Sequence, residues 1–154
     1  MDSDKTVYTS SSEETKKFAE EVADYIKTIS LEGQALVFCM YGELGSGKTT
    51  FVQGLAHGLG IHGRMLSPTF VLMRSYEISL TKQFHHLDLY RLENTDELKT
   101  ISFDELVTDP QNILVIEWAD RLGDLLPEKR INVFCTSRET DHEIAIEYRG
   151  ITAV

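Results

Sequence analysis

A ten-residue segment, GELGSGKTTF at residues 42–51, has the composition of a site that binds a polyphosphate. Gly42, four further residues, and then Gly47, Lys48 and Thr49 fit the spacing G-x-x-x-x-G-K-[ST]. A polyphosphate needs several backbone N–H donors that converge on it, and glycine permits the tight turns and close backbone approach that this requires. Lys48 is then expected to reach the β- and γ-phosphates, and the Thr49 hydroxyl to bind Mg²⁺.

The same segment supplies the other predicted nucleotide contacts. It leads from an apolar run, ALVFCM, into a helical pattern, so the positive end of the helix dipole would face the bound anion. The N–H and hydroxyl of Thr50 are expected to face the α-phosphate. The predicted cofactor-binding residues are therefore Gly45, Ser46, Gly47, Lys48, Thr49 and Thr50. A glycine turn with a purely structural role is the alternative interpretation.

Two acidic residues outside this loop are candidates for the rest of the site. Glu117 follows the apolar run ILVI at the carboxyl end of a predicted buried strand, where it would contact Mg²⁺ directly or through water. A solvated acid at a strand end is the alternative. In HHLDLYR, strand alternation places His86, Asp88 and Tyr90 on one face. Because Mg²⁺ prefers oxygen ligands, Asp88 is the candidate there, and His86 is interpreted as a hydrogen-bonded histidine.

Two further residues have more than one interpretation. Thr69 lies in the segment Ser67-Pro68-Thr69 before a predicted strand, where a hydroxyl could respond to the γ-phosphate as in switch loops. Ordinary turn chemistry explains Ser-Pro equally well. The Trp118 indole could pack in the core, line the nucleotide site or face a partner.

The segments around these residues predict an alternating α/β chain. The run at 35–40 predicts a central strand covered on both faces, and capping-box spacing at Ser11 and Glu14 predicts a helix that ends near Gly33. Further elements are predicted as a helix from 48 to 60, strands within 69–79, 83–92 and 113–116, helical pieces within 94–107 and an antiparallel hairpin of 131–135 with 144–148. The predicted fold is a three-layer, P-loop NTPase-like α/β fold, with a mostly parallel central sheet and an antiparallel C-terminal hairpin. Residues 1–154 are expected to form a single domain.

The amino-acid composition indicates whether the chain binds nucleic acid and in which cellular compartment it is expected. The 154 residues include 25 acidic and 15 basic side chains, a net charge of −10, whereas proteins that grip nucleic acid are normally basic. Direct binding of RNA or DNA is therefore disfavoured. Cys39 and Cys135 lie in apolar runs without zinc-site spacing and are predicted to be buried. No apolar run approaches the ~20 residues of a membrane span, so a cytoplasmic protein without membrane contact is expected.

Four motifs in order give the chain a resemblance to a known family. The segments GELGSGKTTF, SPTF, HLDLYR and the pair Glu117-Trp118 resemble the bacterial tRNA threonylcarbamoyladenosine biosynthesis ATPase family TsaE, also called YjeE, over about residues 10–135. The resemblance implies an ATPase that acts with TsaB and the transferase TsaD in the threonylcarbamoyl modification of adenosine 37 of tRNAs that read ANN codons. It implies contact with tRNA only indirectly, through the complex.

The resemblance also implies roles for individual residues. Lys48, Thr49 and Thr50 would contact phosphates and Mg²⁺, Glu117 would be the second metal contact, and Asp88 would be required for hydrolysis. The predicted catalytic residues are Lys48, Thr69, Asp88 and Glu117, the metal ligands are Thr49 and Glu117, and the cofactors are ATP and Mg²⁺. Trp118 would belong to the same region.

The sequence departs from the family pattern at three places. Glu43 stands where the family usually has Asp, and Ser46 where it often has Ala. A glycine that is common after the DEL segment is replaced near residues 100–102. The third change leaves the conformation of that turn open.

Two other functions are the alternatives. A small-molecule P-loop kinase would share the phosphate loop, but the compact chain shows no arginine-rich lid insertion. A GTPase-like switch module would explain the D-x-x-G at residues 120–123, but the chain has no N-K-x-D segment to recognise guanine. Because no arginine finger is evident, hydrolysis by the isolated chain is expected to be slow.

Overall fold

A computed structural model describes residues 4–151 of the chain. The strands in this range are β1 (Lys5–Thr9), β2 (Leu36–Tyr41), β3 (Met73–Glu77), β4 (Gln83–Asp88), β5 (Asn112–Glu117), β6 (Arg130–Ser137) and β7 (His142–Arg149). The helices are α1 (Ser12–Ile26), α2 (Lys48–Gly58) and α3 (Phe103–Thr108), with 3₁₀ helices at Thr95–Ile101, Ala119–Arg121 and Gly123–Leu125. The strands form one sheet in the order β1-β7-β6-β2-β5-β4-β3.

The centre of the sheet is parallel and its two sides are antiparallel. β2 pairs in parallel with β5 and β6, and β5 pairs in parallel with β4. β3 pairs antiparallel with β4, and β6, β7 and β1 form a second antiparallel group that includes the predicted hairpin. The predicted fold class is therefore confirmed. Because parallel strands end at the same edge of a sheet, the carboxyl ends of β2, β4 and β5 lie side by side.

Helices cover both faces of this central region, which gives the predicted three layers. On β2, Phe38 and Met40 face the layer of α1 and α2, while Val37 and Cys39 face the layer that contains α3 and the 3₁₀ helices. All four side chains are fully buried. A strand covered on both faces needs a continuous apolar sequence, which explains why every residue of the segment ALVFCM is apolar.

Two glycines let α2 approach α1 closely. A Cβ atom on Gly54 would lie 2.7 Å from the Cα of Lys16, and one on Gly58 would lie 2.6 Å from the Cβ of Ala23. Real Cβ atoms do not tolerate such distances, so only glycine permits this spacing. The close packing fixes α2, and with it the loop that precedes α2, against the rest of the core.

The start of α1 is as predicted, but its end is not. The Ser11 hydroxyl accepts a hydrogen bond from the N–H of Glu14 at 3.1 Å, so Ser11 is the N-cap. The prediction that α1 continues to near Gly33 is wrong, since the helix ends at Ile26. The N–H and hydroxyl of Thr28 both bond to the carbonyl of Tyr25, three residues back, at 3.0 and 2.7 Å. These shorter-range bonds replace the α-helical pattern and end the helix.

The turn between the helical pieces at 95–108 uses a residue in the left-handed conformation. Asn94 is the N-cap of Thr95–Ile101, and together with Glu97 it forms a complete capping box. Ser102 then has φ 53° and ψ 49°. This is a conformation that glycine adopts without strain and that serine does not. Ser102 lies within the segment near residues 100–102 whose turn the sequence left open.

Candidate functional site

A cavity of about 310 Å³ opens at the carboxyl edge of the central strands. The register of the parallel strands places Asp88 of β4 and Met40 of β2 beside Glu117 of β5. The cavity is lined by Leu44, Gly45, Gly47, Lys48, Thr49, Thr50, Ser67, Thr69, Asp88, Glu117, Trp118 and His142. The structure thus brings every predicted site residue except Ser46 to one cavity.

The phosphate-binding loop is held in a shape that requires glycine. Gly42 has φ 147°, and a Cβ atom there would lie 2.3 Å from the carbonyl oxygen of Cys135. Gly47 has φ 102° and is the N-cap of α2, with no side chain to cap the helix. The loop therefore lies directly on β6, and the first turn of α2 faces the cavity with no capping group of its own.

Five backbone amides of this loop donate to no protein acceptor in the described part of the chain. Within residues 4–151, the N–H groups of Gly45, Gly47, Lys48, Thr49 and Thr50 have no protein acceptor. Several N–H groups that face one cavity at the start of a helix form a site for an anion, and the helix dipole adds to the attraction. The N–H of Ser46 is different, since it donates to the carbonyl of Glu43 at 3.1 Å.

Lys48 is held beside the cavity by two contacts. Its Nζ donates to the carbonyl oxygen of Gly42 at 2.6 Å and lies 4.3 Å from the centre of the Trp118 ring. Lys48 is only 6% exposed. Trp118 itself has φ 60°, one of three non-glycine residues with positive φ in the described part of the chain. Strained backbone of this kind is common at binding sites.

The two predicted acids are held by hydrogen bonds of their own. Glu117 Oε2 accepts from Nε2 of His86 at 2.7 Å, and both side chains are buried. Asp88 accepts from the Thr69 hydroxyl at 2.8 Å and from the N–H of Tyr90 at 2.9 Å. The Ser67 hydroxyl lies 2.7 Å from that of Thr69. The predicted hydrogen-bonded histidine is therefore confirmed at Nε2 of His86, but its Nδ1 is buried without a partner in the described range.

The donor set suits Mg²⁺ better than a softer metal. Thr49, Asp88 and Glu117 offer oxygen atoms on the lining of one cavity. Mg²⁺ normally keeps several waters and takes only one or two carboxylates together with substrate phosphates. Within residues 4–151 no group of three or more His, Cys, Asp and Glu side chains is arranged to hold a metal ion. The oxygen atoms of this lining are of the type that Mg²⁺ takes as ligands together with a phosphate.

The two cysteines are buried and free. Burial raises the pKa of the Cys135 thiol to about 12, and it does the same for Cys39. Both thiols are therefore neutral at physiological pH. Cys135 adds no charge beneath the phosphate-binding loop, and its backbone carbonyl is what the loop packs against.

Sequence reasoning missed one residue of the cavity, His142. It begins β7, and its Nδ1 lies 3.1 Å from the carbonyl oxygen of Ser46, 96 residues away in the chain. No motif surrounds His142, and it lies two residues before the predicted hairpin strand 144–148, which in the structure begins earlier, at His142 itself. Ser46, in contrast, was predicted, but its hydroxyl is buried without a partner in the described range.

Comparisons with known proteins agree with the motifs. Residues 9–145 match the family model described as threonylcarbamoyl adenosine biosynthesis protein TsaE. The chain is similar to proteins named tRNA threonylcarbamoyladenosine biosynthesis protein TsaE from several bacteria. It is 34% identical to that of Bacillus subtilis over 90% of this chain and 81% of the relative. For Aquifex aeolicus the identity is 38%, over 76% of this chain and 78% of the relative.

A solved structure has the same fold. The crystal structure of YdiB from Bacillus subtilis superposes with a TM-score of 0.74 at 28% sequence identity, over 97% of this chain and 88% of that one. No helix among residues 4–151 has the length and apolar character needed to cross a bilayer.

Proposed function

The chain belongs to the TsaE family, and from that premise we propose that it is a Mg²⁺-dependent ATPase. In this proposal it hydrolyses ATP to ADP and phosphate in support of the threonylcarbamoyl modification of adenosine 37 in tRNAs that read ANN codons. It does so in the cytoplasm, as one domain over residues 1–154, together with TsaB and TsaD. It contacts tRNA only through that complex.

One observation supports this proposal most strongly. Five amides without an acceptor among residues 4–151, a buried lysine and two carboxylates lie around a single cavity of about 310 Å³ at the carboxyl edge of the sheet. The amides and the lysine suit the phosphates, and the carboxylates suit a divalent cation. A glycine turn with only a structural role would not need unpaired donors on one side of a cavity and acids on the other.

Binding of a triphosphate exchanges the partners of the loop. The amides of Gly45, Gly47, Lys48, Thr49 and Thr50 donate to phosphate oxygens. The Lys48 ammonium exchanges the Gly42 carbonyl for the β- and γ-phosphates, which are stronger acceptors because they are charged. The Thr49 hydroxyl and Glu117 would hold Mg²⁺, which would supply positive charge beside the phosphates.

Hydrolysis needs an oriented water, and in this proposal Asp88 orients it. Asp88 keeps lone pairs for a water after it has accepted hydrogen bonds from Thr69 and Tyr90. The Thr69 hydroxyl fixes the direction of the Asp88 carboxylate. His86 holds one oxygen of Glu117, which leaves the other oxygen for the metal.

The surface beside the cavity suits a protein partner. Leu44 and Phe70 are 76% and 79% exposed, and they lie in the phosphate-binding loop and in the loop that carries Thr69. Exposed apolar side chains near a site are typical of interaction surfaces. No arginine lines the cavity in the described part of the chain, so a partner has a role in completing the charge around the γ-phosphate.

The test is ATP hydrolysis with and without TsaB and TsaD. The wild-type chain is compared with Lys48→Ala and Glu117→Ala, and phosphate release is measured. We expect the wild-type chain to hydrolyse ATP slowly by itself and faster with both partners. Both variants should lose this hydrolysis. Fast hydrolysis by the purified chain alone would contradict the partner requirement. Transfer of phosphate only when a small-molecule acceptor is added would favour the kinase, and equal affinity for GTP would favour the switch module.

A further inference from the structure

His142 makes a contact whose direction is fixed by chemistry. Its Nδ1 lies 3.1 Å from the Ser46 carbonyl oxygen, and a carbonyl oxygen can only accept a hydrogen bond. The proton must therefore be on Nδ1. The ring packs against the loop, since a Cβ atom on Gly47 would lie 3.7 Å from the same nitrogen.

The Ser46 carbonyl and the Gly47 N–H belong to one peptide unit. No peptide bond in residues 4–151 is cis, so this N–H points away from the carbonyl. Gly47 lines the cavity, and its N–H has no acceptor in the described part of the chain. Holding the carbonyl toward β7 thus turns the N–H toward the cavity.

Little else holds this peptide unit in place. Within residues 4–151 the Ser46 carbonyl has no other hydrogen-bond donor than His142. Gly47 follows with φ 102°, and glycine crosses between backbone regions more freely than other residues. If the unit rotated, it would present a carbonyl oxygen to the cavity, and this oxygen would repel a phosphate.

We propose that His142 is a positioning residue of the phosphate-binding loop: by holding the Ser46 carbonyl, it directs the Gly47 N–H toward the phosphates. This inference rests on the proposed function, because it assumes that a polyphosphate binds in the cavity. It assigns a role to a residue of β7 that acts through the loop rather than on the reacting atoms.

Three substitutions separate the two ring nitrogens. His142→Ala removes both. His142→Asn keeps an N–H donor at the position of Nδ1, since its amide nitrogen is the same number of bonds from the backbone. His142→Gln places the donor at the position of Nε2 instead. The control is His62→Ala, an exposed histidine whose ring contact is His57, outside the cavity.

Binding of Mg·ATP and of inorganic tripolyphosphate with Mg²⁺ is measured by calorimetry, with thermal melts to verify folding. We expect His142→Ala and His142→Gln to bind both ligands about tenfold more weakly, which corresponds to about 1.4 kcal/mol, and His142→Asn to stay within about threefold of wild type. Unchanged tripolyphosphate affinity in His142→Ala would overturn the proposal, whether or not ATP binding weakened. So would a folded His142→Asn that binds as weakly as His142→Ala.

A second readout does not depend on the nucleotide. In the free protein, ¹⁵N NMR of the imidazole should show the proton of His142 on Nδ1. A neutral ring with its proton only on Nε2 would overturn the proposal. A wild-type protein that binds neither ligand would instead show that the proposed function itself has failed.

Discussion

The two sides of the cavity are built in different ways. One side, here called the amide wall, consists of residues 42–50, and its donors are backbone atoms of one continuous segment. The other side, the carboxylate wall, consists of Thr69, Asp88 and Glu117, which come from three separate segments and are held by side-chain hydrogen bonds. The amide wall depends on backbone shape, and the carboxylate wall depends on individual functional groups. We therefore expect changes in the first to alter nucleotide affinity and changes in the second to alter the rate.

Lys48→Ala should have the largest effect, because Lys48 is the one charged side chain of the amide wall that lines the cavity. Loss of its charge-assisted contacts should weaken Mg·ATP binding by about 100-fold or more and reduce hydrolysis further. Calorimetry and phosphate release measure the two effects. Lys99→Ala, at a lysine whose side chain is 83% exposed, is the control and should change neither. An unaltered ATP affinity in Lys48→Ala would remove the basis for the amide wall.

Asp88→Asn should affect the rate of hydrolysis and leave the affinity for nucleotide nearly unchanged. The substitution preserves shape and one acceptor oxygen, but it removes the charge that would orient and deprotonate water. We expect the rate of hydrolysis to fall about 100-fold while the dissociation constant for Mg·ATP stays within about threefold. Single-turnover kinetics and calorimetry separate the two quantities. If affinity falls as much as rate, the distinction between the walls is wrong.

Gly42→Ala tests how far the amide wall depends on its fit to β6. The added Cβ would lie 2.3 Å from the Cys135 carbonyl, so the loop must shift. We expect a loss of about 1–3 kcal/mol in the free energy of unfolding and weaker Mg·ATP binding. Gly33→Ala is the matched control, because Gly33 also has positive φ but a Cβ atom added there would have no neighbour within 4 Å. Equal losses in both variants would mean that backbone strain alone, and not the contact with β6, is responsible.

Ser102→Gly should have the smallest effect, and it should be favourable. Ser102 and Trp118 share the left-handed backbone conformation, but only Trp118 lines the cavity. Glycine at residue 102 relieves backbone strain outside the nucleotide cavity, so the free energy of unfolding should rise by up to about 1 kcal/mol with no change in hydrolysis. Thermal denaturation measures the gain, and Ser102→Ala should not show it. A change in ATP turnover would link this turn to the site.

The sequence predicted the amide wall better than the rest of the cavity for a physical reason. Its residues are adjacent in the chain, so the spacing of glycine, lysine and threonine is sufficient to predict the geometry of the loop. The fold class followed from the fully apolar run of β2 and the alternation in β6 and β7. The roles given to these residues remain predictions until binding and hydrolysis are measured.

Features that depend on distant contacts could not be inferred from the sequence. The pairing of His86 with Glu117, the bond from Thr69 to Asp88 and the approach of His142 to Ser46 each join separate segments. The end of α1 was missed because Thr28 redirects local hydrogen bonds while the apolar spacing continues to Ile29. A periodic pattern records which face is apolar, and it does not record where the hydrogen-bond pattern changes.

The contact between Lys48 and Trp118 has a practical consequence. Trp118 is the only tryptophan in the chain, and the lysine ammonium lies 4.3 Å from the centre of its ring. When phosphates draw that ammonium away, the electrostatic environment of the indole changes. The unlabelled chain therefore contains its own optical reporter, and its ultraviolet emission should follow nucleotide arrival in real time.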